Sequence, residues 1–215
     1  MIVSRCNLHP FEQVNRVGVA IMRHAGGLHC AFLCRPDDEN PMLVHLAWHH
    51  ELRRDAPDDR YLWADFAELE FEDRRALVAY LSLIDATGDL PYGLNSEGIS
   101  FDPNTGRLQP HPEGRGMTCA TFILSVLRAF DHDVVDADTW VIGRPGDAEW
   151  QALIVGSLSQ NYPEQAAAVA GDLGCVRFRP DEVVGSAARP GWPHDMAGAE
   201  ALGAEVLSEL DMPVA

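Results

Sequence analysis

Gly116-Met117-Thr118-Cys119-Ala120-Thr121-Phe122-Ile123-Leu124-Ser125-Val126-Leu127 is the stretch on which the reading of this chain turns. It is an apolar helix with a cysteine at its mouth. Thr118 is a suitable N-cap, and the helix is expected to run to about Phe130. A thiol is a strong nucleophile only as a thiolate, and a helix N-terminus favours the anion through its unpaired N–H groups. A buried cysteine is also a common small hydrophobe, so position alone does not assign a role. The histidines upstream do more.

Working back from Cys119, Leu90 to Pro112 is rich in Gly, Pro, Asn and Ser. It reads as a long loop or short hairpin that delivers the chain to the cysteine. Before it, Asp65 to Asp85 has the apolar spacing of an amphipathic helix. Further upstream, Val17–Arg23, Leu28–Arg35 and Met42–Trp48 read as three strands of an antiparallel meander. The turn Ala25-Gly26-Gly27 and the polar loop Pro36 to Pro41 join them. His29 opens the middle strand and His45 lies on the next. Whether they share a face depends on register, because a slip of one residue reverses it.

Thiol catalysis needs a nucleophile, a base and a group that orients the base. Cys119, His29 and His45 are the candidates, with His49 as the alternative third member. Tyr92 and Trp48 are candidate substrate-binding residues, Trp48 as a wall of an apolar acyl pocket. His45-x-x-x-His49 also has i, i+4 spacing, which would suit zinc on a helix. The surroundings read as strand and no HExxH pattern is present, so no metal and no cofactor is expected.

Downstream of Cys119, Asp147–Leu158 and Pro163–Ala170 read as helices. Val176-Arg177-Phe178 reads as a strand, and Pro180 to Val184 as a turn of helix. Ala188-Arg189-Pro190-Gly191-Trp192-Pro193 reads as a linker, and Ala197–Leu210 as a short acidic helix, solvated rather than docked. The expected organisation is therefore a catalytic domain over 1–185 and a linker with acidic helix over 186–215.

The chain has 215 residues, is 47% hydrophobic and carries a formal net charge of −17. That charge argues against nucleic-acid partners, which need a basic surface. No stretch approaches the ~20 apolar residues of a membrane span. Met1 to Cys6 lacks the basic and apolar regions of a signal peptide. Five cysteines without a C-x-x-C pair fit reduced thiols, hence a cytoplasmic setting. The sequence does not fix the oligomeric state.

The histidine and cysteine settings resemble the permuted NlpC-type papain-like superfamily, including its lecithin:retinol acyltransferase-like branch. The resemblance rests on Gly27-Leu28-His29-Cys30-Ala31-Phe32-Leu33, Leu43-Val44-His45-Leu46-Ala47 and Thr118-Cys119-Ala120-Thr121-Phe122, and covers roughly residues 15 to 130. In that group the histidine strand precedes the cysteine helix. The group often has Asn before the Cys and an acidic residue after it; this chain has Thr118 and Ala120. The membrane-anchoring C-terminal segment of some acyltransferases is missing. The resemblance implies an α+β fold, papain-like and permuted, with an antiparallel sheet packed against the Cys119 helix. It also implies a cysteine hydrolase or acyltransferase acting on a peptide or another acyl-containing small molecule through a thioester. The readings that compete with it are a non-catalytic binding protein on the same fold and, less favoured, a zinc hydrolase.

Overall fold

The computed structural model describes residues 2–24, 27–36, 40–85 and 89–212. Most of the turn expected at Ala25-Gly26-Gly27, and the middle of the polar loop expected between Pro36 and Pro41, lie outside the described residues. The described chain is mixed α+β, with six strands and six α-helices. The strands are β1 (Ser4–Arg5), β2 (Val17–His24), β3 (Gly27–Cys34), β4 (Met42–Trp48), β5 (Glu51–Asp55) and β6 (Leu62–Asp65). They form one antiparallel sheet in the order β1-β6-β2-β3-β4-β5. The helices are α1 (Phe71–Asp85), α2 (Cys119–Arg128), α3 (Asp147–Asn161), α4 (Pro163–Val169), α5 (Pro180–Ala187) and α6 (Met196–Asp211). None is long and apolar enough to cross a membrane.

The central strands are apolar on both faces because both faces are covered. Val17, Val19, Ile21, Cys30 and Phe32 join one core with the α2 residues Phe122, Ile123 and Val126. Ala20, Met22, Ala31, Leu33 and Leu43 join the other with Phe11, Tyr61 and Trp63. Phe32 meets Phe122 edge-on at 5.8 Å between ring centroids and Phe66 at 5.9 Å. Truncating a buried Phe of this kind typically costs about 3–5 kcal/mol.

The three meander strands stand where the sequence predicts them, and the sheet is twice as large. β5 and β6 were not anticipated. The helix expected over Asp65–Asp85 begins at Phe71 instead. Residues Leu62–Asp65 continue the sheet by pairing with β2, an alternation too short to register against the helical spacing that follows. Val176-Arg177-Phe178 forms no strand. The turn of helix expected from Pro180 extends to Ala187, with all eight residues buried.

The solvated reading of the C-terminal helix is corrected. Helix α6 packs along α5 and buries Ala199, Gly203 and Val206. Glu209 accepts the backbone N–H groups of Ile2 and Val3 at 2.6 and 2.7 Å. The preceding Trp192 donates to the Ser186 carbonyl at 2.7 Å and lies against Phe66. The Ala188–Pro193 segment is thus held to the body of the protein.

Candidate active site

The approach to Cys119 is set by backbone packed against backbone. Residues 91–95 run alongside 116–117, with Met117 N–H donating to the Pro91 carbonyl and Gly93 N–H to that of Met117. A Cβ on Gly116 would come 2.4 Å from the Gly93 nitrogen, so the two strips can touch only because both positions are glycine. Thr118 then caps α2. Its hydroxyl accepts from Thr121 N–H at 3.2 Å, and the Thr121 hydroxyl accepts from Thr118 N–H at 2.8 Å. Cys119 becomes the first helical residue, among the orphan N–H donors of the first turn.

The sheet opens to receive it. The β3–β4 ladder extends only from Phe32↔Val44 to Cys34↔Met42. The start of β3, residues 27–31, remains paired to β2 but not to β4. Helix α2 packs against β3 and β4, which brings the buried Cys119 beside Cys30 and His29.

Across the splay, His29 Nε2 lies 2.7 Å from His45 Nδ1, and His45 Nε2 lies 2.9 Å from Asp55 Oδ2. The β4–β5 register pairs Leu43 with Asp55 and His45 with Arg53, so Asp55 sits diagonally from His45 on one face. This line dictates the protons. The Asp55 carboxylate accepts, so His45 carries its proton on Nε2 and offers Nδ1 as an acceptor. His29 must then donate from Nε2, which leaves Nδ1 as the unprotonated nitrogen of its neutral ring.

Electrostatics separate the thiols sharply. The Cys119 thiol is held well below its ordinary range, chiefly by the Cys30 side-chain hydrogen bond, against burial, with His29 adding a hydrogen bond and a charge. Burial raises three others: Cys30 well up, Cys34 to about 12 and Cys175 to about 11. The His45 ring is pushed down, first by burial and then by His29, which keeps it neutral between its two partners. Burial beside Cys119 and Cys30 pushes the Tyr92 phenol well up, so it stays protonated.

Cys119, His29 and His45 line one cleft of about 570 Å³. Trp48 and Tyr92 line it too, their rings 4.8 Å apart. Asp55, Trp150 and Arg177, absent from the sequence-based site, also form its walls. Asp55 was hidden because β5 was. The available clue was the His49-His50 pair after an alternating strand, a turn that returns Asp55 to the level of Leu43.

His49 does not take the third role. Its Nδ1 accepts from the Tyr92 N–H at 3.1 Å, and its ring packs on Tyr162. It lines a different, more open cleft of about 1120 Å³ that also holds His50, Asp89 and Arg107. That cleft is larger, but its lining contains no thiol. No group of three or more His, Cys, Asp or Glu among the described residues is arranged to hold a metal ion.

Comparison of the chain with protein-family models, with curated proteins and with solved structures finds no match.

Proposed function

We propose that this protein is a thiol hydrolase or acyltransferase of the permuted papain-like kind. The observation that carries the reading is Cys119 at a helix start, sharing one cleft with the hydrogen-bonded line His29–His45–Asp55. The chain order, histidine strand before cysteine helix, and the packing of that helix on an antiparallel sheet support the fold assignment.

The Cys119 thiolate attacks the carbonyl carbon of an amide or ester. The oxyanion is held by first-turn N–H groups of α2, the Cys119 N–H among them. Such donors typically lower a barrier by about 3–4 kcal/mol each. The Tyr92 hydroxyl, buried and protonated beside the sulfur, serves as a further donor. His29, protonated by Cys119, passes that proton from Nδ1 to the leaving amine or alcohol. A thioester remains. Water or an amine, deprotonated by His29, then releases the acyl group and restores the thiol. His45 and Asp55 keep the imidazole turned. The free cysteines suit a reducing, cytoplasmic setting.

The test is iodoacetamide labelling as a function of pH, mapped to each cysteine by mass spectrometry. Cys119 should label rapidly at about pH 6, well below the usual thiol range, while Cys30, Cys34 and Cys175 stay silent. Cys119→Ala should abolish turnover of any verified substrate. A Cys119 that labels only after denaturation would sink the proposal and leave a non-catalytic binding groove.

A further inference from the structure

One wall of the thiol cleft carries a cation that the fold holds in place without neutralising it. Arg177 lies in the extended segment before α5, and its guanidinium carbon stands 4.0 Å from the centroid of the Trp150 ring. Both residues line the cleft with Cys119. Arg177 Nη1 donates to Asp147 Oδ1 at 3.2 Å. The same oxygen accepts from Arg179 at 2.9 and 3.1 Å. Arg144 approaches the other oxygen at 3.4 Å. One buried carboxylate therefore faces three guanidinium groups.

The other two cations are better served. Arg144 also pairs with Glu182 and Glu200, and Arg179 takes the shorter contacts to Asp147 and also bonds the Pro145 carbonyl. Asp181 stands near Arg177, and burial raises its carboxyl above the ordinary carboxylate range. Arg177 Nε is closed off from water and meets no acceptor among the described residues. Buried guanidinium N–H groups are rarely left idle. The remaining cleft arginines are occupied: Arg53 by Glu51 and Arg60 by Asp58.

We infer that Arg177 receives a carboxylate of the substrate, so that the thiol acts on amide or ester donors bearing a free carboxylate. This inference rests on the thiol-enzyme reading of the cleft. The stacked, oriented guanidinium suits a planar carboxylate. Glu51 and Asp55 also line the cleft, which favours a single negative charge over a phosphate dianion.

The experiment measures Cys119 alkylation by N-iodoacetyl-glycine, N-iodoacetyl-β-alanine and N-iodoacetyl-γ-aminobutyrate, each against its own carboxamide. The series varies the reach between sulfur and carboxylate. At one length the acid should outpace the amide by about tenfold relative to glutathione, as a charged hydrogen bond allows. Arg177→Gln should bring the acid-to-amide ratio down to that of glutathione, and Arg177→Lys should keep part of the preference. An acid-to-amide ratio no higher in the native protein than in Arg177→Gln overturns the inference alone. If Arg177→Gln does not fold, the native protein decides: glutarate, and not glutaramide, should slow iodoacetamide labelling of Cys119. Absence of protection by glutarate likewise overturns it. A Cys119 inert to every reagent, iodoacetamide included, removes the thiol reading and this inference with it.

Discussion

Strand β4 and the turn after it take part in two pairs of histidines with opposite fates, His29–His45 and His49–His50. His45 reaches across the sheet to His29, which shares its cleft with the Cys119 thiol. His49 stacks on His50 with ring centroids 3.8 Å apart, and its Nδ1 is spent on the Tyr92 backbone N–H. Both inner rings, His45 and His49, are buried and held neutral. Burial and neutrality therefore do not distinguish a working histidine from a structural one. What differs is where each pair leads: one to the cleft of the proposed nucleophile, the other to backbone and to Asp89, which pairs with His50 at 2.5 Å.

Breaking the first pair should have the largest effect. His29→Ala removes the base and the charge beside Cys119, so labelling by iodoacetamide at about pH 6 should fall on the order of a hundredfold. A rate within twofold of the native protein would mean that the helix and Cys30 suffice, and the histidine line is ornamental.

The outer members should matter less. His45→Gln should slow Cys119 labelling by about tenfold, the usual scale for a partner that orients a reactive imidazole. Asp55, with half its side chain in solvent, should contribute less, and Asp55→Asn should cost only a few-fold. If Asp55→Asn proved more damaging than His45→Gln, the carboxylate would be acting on the cleft directly and not through His45.

The second pair should respond in stability, not reactivity. Burial, with His50 beside it, holds His49 down to about 4. The unfolded chain protonates this ring near its ordinary value of about 6.5. Stability linked to His49 is therefore complete above about pH 6.5 and declines as the pH falls toward 4, by up to about 3 kcal/mol. His49→Gln should flatten that decline in urea titrations and leave Cys119 labelling nearly unchanged. A large drop in labelling instead would erase the contrast between the two pairs.

How much of this the sequence disclosed follows from the range of each interaction. Thr118 as a cap and Cys119 as the first helical residue depend on neighbours within four positions, and they could be read directly. The strands β2, β3 and β4 could be read from their length and apolar content. The His29–His45 bond could only be suspected, because it depends on where the β3–β4 ladder stops. Asp55 depends on β5, whose Arg53-Arg54-Asp55 run resembles a solvated charged stretch. Arg177 owes its place to Asp147 and Trp150 on α3, contacts between segments about 30 residues apart. The acidic C-terminal helix resembled a free tail since its buried stripe is mostly Ala, Gly and one Val.

The tie between Glu209 and the backbone of Ile2 and Val3 has a bearing on the order of events during synthesis. The two groups are separated by more than 200 residues. Ile2 and Val3, just ahead of the outermost strand β1, cannot acquire those two bonds until residue 209 has left the ribosome. Contacts of such long separation close slowly. The residues just ahead of β1 are thus fastened to α6 only after the strands and helices between them have been made.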